Sequence, residues 1–490
     1  MIPMKKTLLL PACAALCLVC LTPPLYAASD SLPDLGEVGT SSLSVQDETR
    51  LGQRIMESIR ADAAYLEDAE INYWLQSLGE KLVASSDKAG APFEFFVVSD
   101  ASINAFALPG GHIGVHTGLI DAVRNESELA GVLSHEIAHV SQRHIAQSIG
   151  RRNDTTLMML AAMLAAALAA RSNPDLTQAA IASAQAGAIQ SELGYSRAFE
   201  READRIGINI LERAGFDVRG MVSFFERLQQ TTRLYESKNL PAYLRTHPLT
   251  QERIADMANR VAQMTPREHT DSADFRFARA KLRAAQGLPS DAAAHFRAEL
   301  NKDPDNAALR YGLAQALYLG GHHDEAWAAL APLRETQTAS ASHFLDELAA
   351  RIELARKHPA QALAIAEAVL ARTPDNRPLA CTQVDALLQD GQSKRAEELA
   401  RAATARAPQE AQFWTRLARA NQALNKPAAM HRAQAEVYAL KGALPQAIEQ
   451  LELARKTGNG DFYEQSSIDA RLRELKQSDQ ENRRASGHTH

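Results

Sequence analysis

Cysteine is nearly absent from the part of this chain that could use it. Of 490 residues only four are cysteine, and Cys13, Cys17 and Cys20 crowd into one apolar run at the N-terminus. Loss of that run on export would leave Cys381 alone, so an internal disulfide is excluded and stability has to come from packed cores and any bound metal. A net positive charge is also lacking. The formal net charge is −6, which argues against nucleic acid as the main partner. A third absence is a membrane-length apolar stretch. Thr155 to Ala170 carries no charge and is bracketed by Arg151-Arg152 and Arg171, yet its sixteen residues fall short of the about 20 needed to cross a bilayer. A membrane-dipping segment is the weaker alternative for it.

What remains is ordinary for a globular protein, with 46% hydrophobic and 23% charged residues and room for two or three domains. Lys5 and Lys6 precede the apolar run Thr7 to Leu21, and Leu25-Tyr26-Ala27-Ala28 closes it in small residues, the pattern of a secretory signal over 1–27. Cleavage there would remove two lysines and take the net charge from −6 to −8. Leu10-Pro11-Ala12-Cys13 only loosely resembles a lipidation box, because the apolar run before Cys13 is too short.

Residues 28–44 read as a mobile leader. Helices are expected over about 45–60 and 68–85, the second with Ile71, Trp74, Leu75, Leu78 and Leu82 on one stripe. Tyr73 and Trp74 are read as core. Phe93 to Val98 has strand character, and Asn104 to Leu108 and His112 to His116 flank the turn Pro109-Gly110-Gly111. An exposed edge strand can pair with an extended peptide by strand addition. His112 and His116 are taken as packed or exposed side chains rather than ligands.

The chemistry gathers at Ser134-His135-Glu136-Ile137-Ala138-His139. Residues i and i+4 share a helix face, so His135 and His139 can grip one ion, and Glu136 is then placed to act as general base on water. Asn125 as N-cap with Glu128 three residues on, and Leu129, Val132, Leu133, Ile137 and Val140 at helical spacing, supply the helix, which is expected to run to about Gly150. The pattern alone also describes two histidines on a buried face. A third ligand is offered by Glu200, 61 residues after His139 on a second helix. Asp204, one turn beyond, could accept the free ring N–H of a ligand histidine or act as a proton donor. Glu202 is read as solvated. His247, followed by Pro248, is expected on a loop, as a fourth ligand that displaces the catalytic water. His144 is set aside: on a continuous helix it would stand roughly 140° round from its ideal 100° step after His139. Between the two ligand helices, about 150–190, Asn173-Pro174 and Gly187 suit a movable lid.

From about Phe275 the chain becomes Ala- and Leu-rich helix pairs. Pro304, Pro374 and Pro408 mark a period near 34 residues, the signature of a tetratricopeptide array, whose stacked helix pairs bind peptides or proteins. A polar tail, 479–490, is expected to be disordered, and its His488 and His490 are not read as a metal site.

Taken in order, Asn104 to Gly111, His135-Glu136-Ile137-Ala138-His139, Glu200-Arg201-Glu202-Ala203-Asp204, Thr246-His247-Pro248 and the trailing repeats resemble the BepA (YfgC)-like group of periplasmic metalloprotease-chaperones. That group sits in the larger clan of HtpX and the CAAX prenyl endopeptidases, which carry membrane helices not found here. The resemblance implies a mainly α fold: a helical zincin-type metalloprotease domain with a small β-sheet (45–268), then an α-helical tetratricopeptide solenoid (269–478). It implies one Zn²⁺ per chain held by His135, His139 and Glu200, Glu136 as catalytic base, Asp204 in a supporting or proton-donor role and His247 as an autoinhibitory switch. No organic cofactor is implied. Location would be the periplasm, with peripheral membrane association compatible. Substrates would be unfolded or stalled outer-membrane β-barrel proteins, and the repeats would dock on the outer-membrane assembly machinery. The alternatives are a largely non-proteolytic, repeat-based chaperone or scaffold, or a general membrane-associated protease, inserted through Thr155 to Ala170.

Overall fold

The computed structural model describes residues 43–150, 197–232, 241–336, 342–457 and 462–487. The expected signal segment, almost all of the leader, the lid beyond Gly150, His488 and His490 lie outside the described residues.

Helix α1 (Val45–Ala61) starts where Ser44 accepts a bond from the Asp47 amide, and its face of Leu51, Ile55, Met56 and Ile59 is buried. Helix α2 (Ala69–Val83) is capped by Asp68, whose carboxylate accepts from the Glu70 and Ile71 amides at 3.0 Å each. Such a cap contributes about 1 kcal/mol. The stripe Ile71, Trp74, Leu75, Leu78 and Leu82 is buried. Tyr73 is only half-buried and meets the ring of His343 edge-on.

Strands β1 (Glu94–Val98), β2 (Ala105–Leu108) and β3 (His112–His116) form one sheet in the order β1-β3-β2. The β2–β3 hairpin is antiparallel and turns at Gly110 and Gly111, with φ +81° and +90°, a region glycine enters without steric cost. β1 pairs with β3 in parallel, Glu94 opposite His112. Alternation along the strands serves two faces: Phe96, Val98 and Leu108 pack on α1, while Phe95, Val97, Ile113 and Val115 join the core under α2. Within the described residues β2 pairs on one side only.

A short helix α3 (Thr117–Ala122) leads into α4 (Glu126–Ser141), capped by Asn125 at the Glu128 amide. Every residue of α4 but Val140 is buried, which makes it the axis of the domain. The chain then departs from expectation. α4 stops at Ser141 rather than near Gly150, Arg143 turns left-handed at φ +54°, and a new helix α5 (His144–Gly150) begins. The Arg143 guanidinium donates to Glu48 Oε2 (3.1 Å) and to the Leu43 carbonyl (2.9 Å). These tertiary bonds hold a conformation that costs a non-glycine residue roughly 1 kcal/mol or more.

Helix α6 (Arg197–Arg213) lies along α4, followed by α7 (Arg219–Thr232), α8 (Ala242–Thr246) and α9 (Gln251–Ala262). Gly207 permits the approach: a Cβ there would stand 3.1 Å from the His135 backbone nitrogen.

Helix pairs then repeat, α10 (Ala273–Ala284) with α11 (Pro289–Leu300), α12 (Ala307–Leu319) with α13 (His323–Thr336), α14 (His343–Ala355) with α15 (Pro359–Leu370), α16 (Arg377–Gln389) with α17 (Ser393–Arg406), α18 (Ala411–Ala423) with α19 (Pro427–Leu440), and α20 (Leu444–Lys456) with α21 (Phe462–Gly487). First helices begin 34, 36, 34, 34 and 33 residues apart. α21 carries the fold through 479–487, which were expected to be disordered; no glycine or proline interrupts that polar stretch before Gly487. One apolar core runs without a break from α2 and α4 into the first repeats, through Trp74, Phe275, Tyr311 and Phe344. Among the described residues no helix is long and apolar enough to cross a membrane. The protein is therefore mainly α, with a small three-stranded sheet, as the sequence implied.

Candidate metal centre

Three elements converge on one buried point. α4 presents His135, Glu136 and His139; α6 presents Glu200 and, one turn later, Asp204. The third is the C-cap of α8, where His247 leaves the helix at φ −121°, ψ 78° because the following Pro248 disfavours helical geometry. His135, Glu136, His139, Glu200, Asp204 and His247 are all buried, none exposed by more than 2%.

One atom from each of four of these residues faces the same space. His135 Nε2 lies 3.0 Å from His139 Nε2 and 3.3 Å from His247 Nδ1; Glu200 Oε1 lies 3.4 Å from His139 Nε2 and 3.1 Å from His247 Nδ1. All four fall within 4.8 Å of one another. Bonds of about 2.0–2.1 Å to a tetrahedral ion place donors about 3.3 Å apart, so the observed spacings match the edges of such a tetrahedron. Imidazole and carboxylate lone pairs turned inward in a dry pocket need a cation between them. Charge agrees: Glu136, Glu200 and Asp204 are buried with Arg253, so with its ligand histidines neutral the site holds more carboxylate than guanidinium charge among the described residues, which a divalent ion would offset. The residues fit a metal.

The surroundings orient the donors. His135 Nδ1 lies 3.0 Å from Asp204 Oδ1. Burial pushes His135 toward neutrality, but Asp204 and Glu200 outweigh it and lift its pKa to about 9. His139 goes the other way, held well below the ordinary histidine value chiefly by burial. Burial would raise the Glu200 carboxyl, yet the charge of His247 and hydrogen bonds from the three histidines hold it well below the usual range. Both oxygens of Glu136 are buried without a hydrogen-bond partner among the described residues, and Oε1 is 3.5 Å from His247 Nε2. With no hydrogen bond and only that longer contact to His247, the carboxylate is available to act as a base. Asp204 instead faces away from it: its second oxygen and first are taken by Arg253 Nε (2.7 Å) and Nη2 (2.8 Å).

Arg253 is one residue the sequence did not point to. On α9, it also places Nη1 2.6 Å from Glu200 Oε2 and 2.7 Å from the Pro248 carbonyl. No spacing rule connects it to Asp204, 49 positions earlier. Tyr243 was missed too; its ring stacks on His247 at 4.6 Å, and its hydroxyl has no partner among the described residues.

Two further readings change. His144 is no ligand, yet the helix break returns it beside His139, Nδ1 to Nδ1 at 3.0 Å. Glu202 is not merely solvated; its Oε2 is 3.2 Å from His144 Nε2. His112 pairs with Glu94 (2.9 Å) and His116 with Ser102 (2.9 Å), both away from the centre, and burial draws His116 down to about 4.

Residues 69–261 match peptidase family M48, and residues 283–351 and 381–429 match tetratricopeptide repeats. The chain is 33% identical over 480 residues to the beta-barrel assembly-enhancing protease of Escherichia coli (strain K12), covering 97% of each protein. It is 40% identical over 318 residues to a putative beta-barrel assembly-enhancing protease of Vibrio cholerae, covering 63% of this chain and 64% of the relative. It is also similar to the mitochondrial metalloendopeptidase OMA1 of Arabidopsis thaliana, 33% identical over 184 residues, 37% of this chain and 35% of that one.

Proposed function

The chain belongs to the family of beta-barrel assembly-enhancing proteases, metalloendopeptidases with trailing tetratricopeptide repeats, and from that premise we propose that it is a periplasmic zinc endopeptidase and chaperone for outer-membrane β-barrel proteins. The observation that carries the reading is the convergence of His135 Nε2, His139 Nε2, Glu200 Oε1 and His247 Nδ1 beside the carboxylate of Glu136, which accepts no hydrogen bond among the described residues. Three imidazoles and a carboxylate suit one zinc ion, held for catalysis by His135, His139 and Glu200. When bound, the ion supplies Lewis acidity toward the attacking water and the scissile carbonyl. Glu136 takes the proton of that water and returns it to the leaving amine. Asp204 fixes His135 with its proton on Nδ1, leaving Nε2 as donor. An extended substrate segment adds to the sheet at β2, which is unpaired on one side among the described residues and contacts α4.

The N-terminal lysines, apolar run and small-residue boundary support export to the periplasm. The relatives' printed role in β-barrel assembly supports β-barrel proteins as the substrate class, and we extend it to unfolded or stalled outer-membrane proteins, degraded when misassembled, with the repeats docking on the assembly machinery. A second activity, holding nascent barrels without cutting them, is favoured by the burial of the whole centre and by His247 standing in it. Glu136→Gln separates the two. The variant is expected to keep its zinc, measured by mass spectrometry, and to lose cleavage of an unfolded outer-membrane protein. Retained cleavage would sink the assignment, and retained assembly support in cells would favour the holding role.

A further inference from the structure

We propose that His144 is a positioning residue of the metal centre, relaying the carboxylate of Glu202 onto His139 as Asp204 serves His135 directly. The inference rests on the metal-site reading above and concerns this chain's own residues. His144 is buried with its ring flat against Phe199, centroids 4.3 Å apart and planes at 11°. Its two ring nitrogens are both engaged, Nδ1 with His139 Nδ1 at 3.0 Å and Nε2 with Glu202 Oε2 at 3.2 Å. That geometry allows one consistent proton arrangement. His139 must keep Nε2 as a lone pair to serve as a ligand, so its proton resides on Nδ1 and is donated to His144. His144 then accepts at Nδ1, carries its own proton on Nε2 and donates it to Glu202. A hydrogen-bond acceptor behind a ligand histidine fixes the ring and strengthens its donor nitrogen.

The fold is built to deliver this contact. A continuous helix would carry His144 away from His139; the left-handed Arg143, tied to Glu48 and the Leu43 carbonyl, breaks it and swings His144 back. Glu200, Glu202 and Asp204 thus all address the centre from α6, Glu202 from its half-exposed edge.

The test compares metal affinity, by chelator competition with Zn²⁺, and the visible absorption of the Co²⁺-loaded protein. His144→Phe keeps the stack on Phe199 but offers His139 no acceptor. It should weaken metal binding by about 10- to 100-fold and shift the Co²⁺ bands, and His144→Gln, whose amide can accept and donate, should recover much of both. Glu202→Ala, at a half-exposed position that leaves the fold intact, should move both readings the same way by less. Affinity and spectrum unchanged from wild type in His144→Phe and Glu202→Ala would overturn the proposal while wild type still binds metal and His139→Ala does not. A wild type that holds no metal would overturn the metal-site reading and this inference together.

Discussion

His247 Nδ1 lies 3.1 Å from Glu200 Oε1, closer than a water molecule between them would allow. A catalytic zinc centre keeps three protein ligands and leaves the fourth position to water or substrate. Here a fourth side chain stands there, on a loop end pinned by the stack of Tyr243 and by Arg253 at the Pro248 carbonyl. His247→Ala should therefore raise the cleavage rate of an unfolded polypeptide several-fold, with zinc content unchanged because three ligands remain. A rate at or below wild type, with zinc retained, would show that His247 does not restrain the site.

Arg253 joins Glu200, Asp204 and the His247 loop through one guanidinium. Removing one partner of a buried ion pair costs about 3–5 kcal/mol, since the other charge stays buried. Arg253→Ala should lower the melting temperature by many degrees and release metal. Arg253→Lys keeps the charge but not the planar fork, so it should retain the fold better than Ala while binding metal more weakly than wild type. Melting curves and zinc content of the two variants decide this; a fully wild-type Lys variant would reduce Arg253 to a point charge.

Much of the centre was legible because it is local. His135 and His139, and Glu200 and Asp204, are i, i+4 pairs that any helix brings to one face, and Pro248 marks His247 as a helix end. The repeat period was legible from its prolines. What could not be read depends on contacts between distant segments. The break at Arg143 exists because Glu48 and Leu43, some 100 positions earlier, receive its guanidinium, and without that break neither His144 nor Glu202 looks functional. The parallel pairing of β1 with β3 and the reach of Arg253 across 49 residues to Asp204 are of the same kind.

The seam between protease domain and repeats carries its own titration. Lys281 of α10 sits between Asp68 and Glu70 at the start of α2, 2.8 Å from each. Burial pushes the Glu70 carboxyl up to about 7 against the pull of Lys281 and His343, with Glu347 and Asp68 adding to the rise. Between the ordinary value near 4.5 and about 7 the folded chain holds a proton that the unfolded chain has released. The folded state is thus favoured below about 4.5, and that stabilisation is lost as pH rises to about 7, on the order of 3 kcal/mol in all. Asp68 remains to pair Lys281 when Glu70 is neutral. Glu70→Gln holds the neutral shape at every pH, so urea midpoints measured at pH 5 and pH 7 should differ less in the variant than in wild type, with the wild type losing ground at pH 7. Equal pH dependence in the two proteins would mean that Glu70 is ionised throughout and that the seam is an ordinary ion pair.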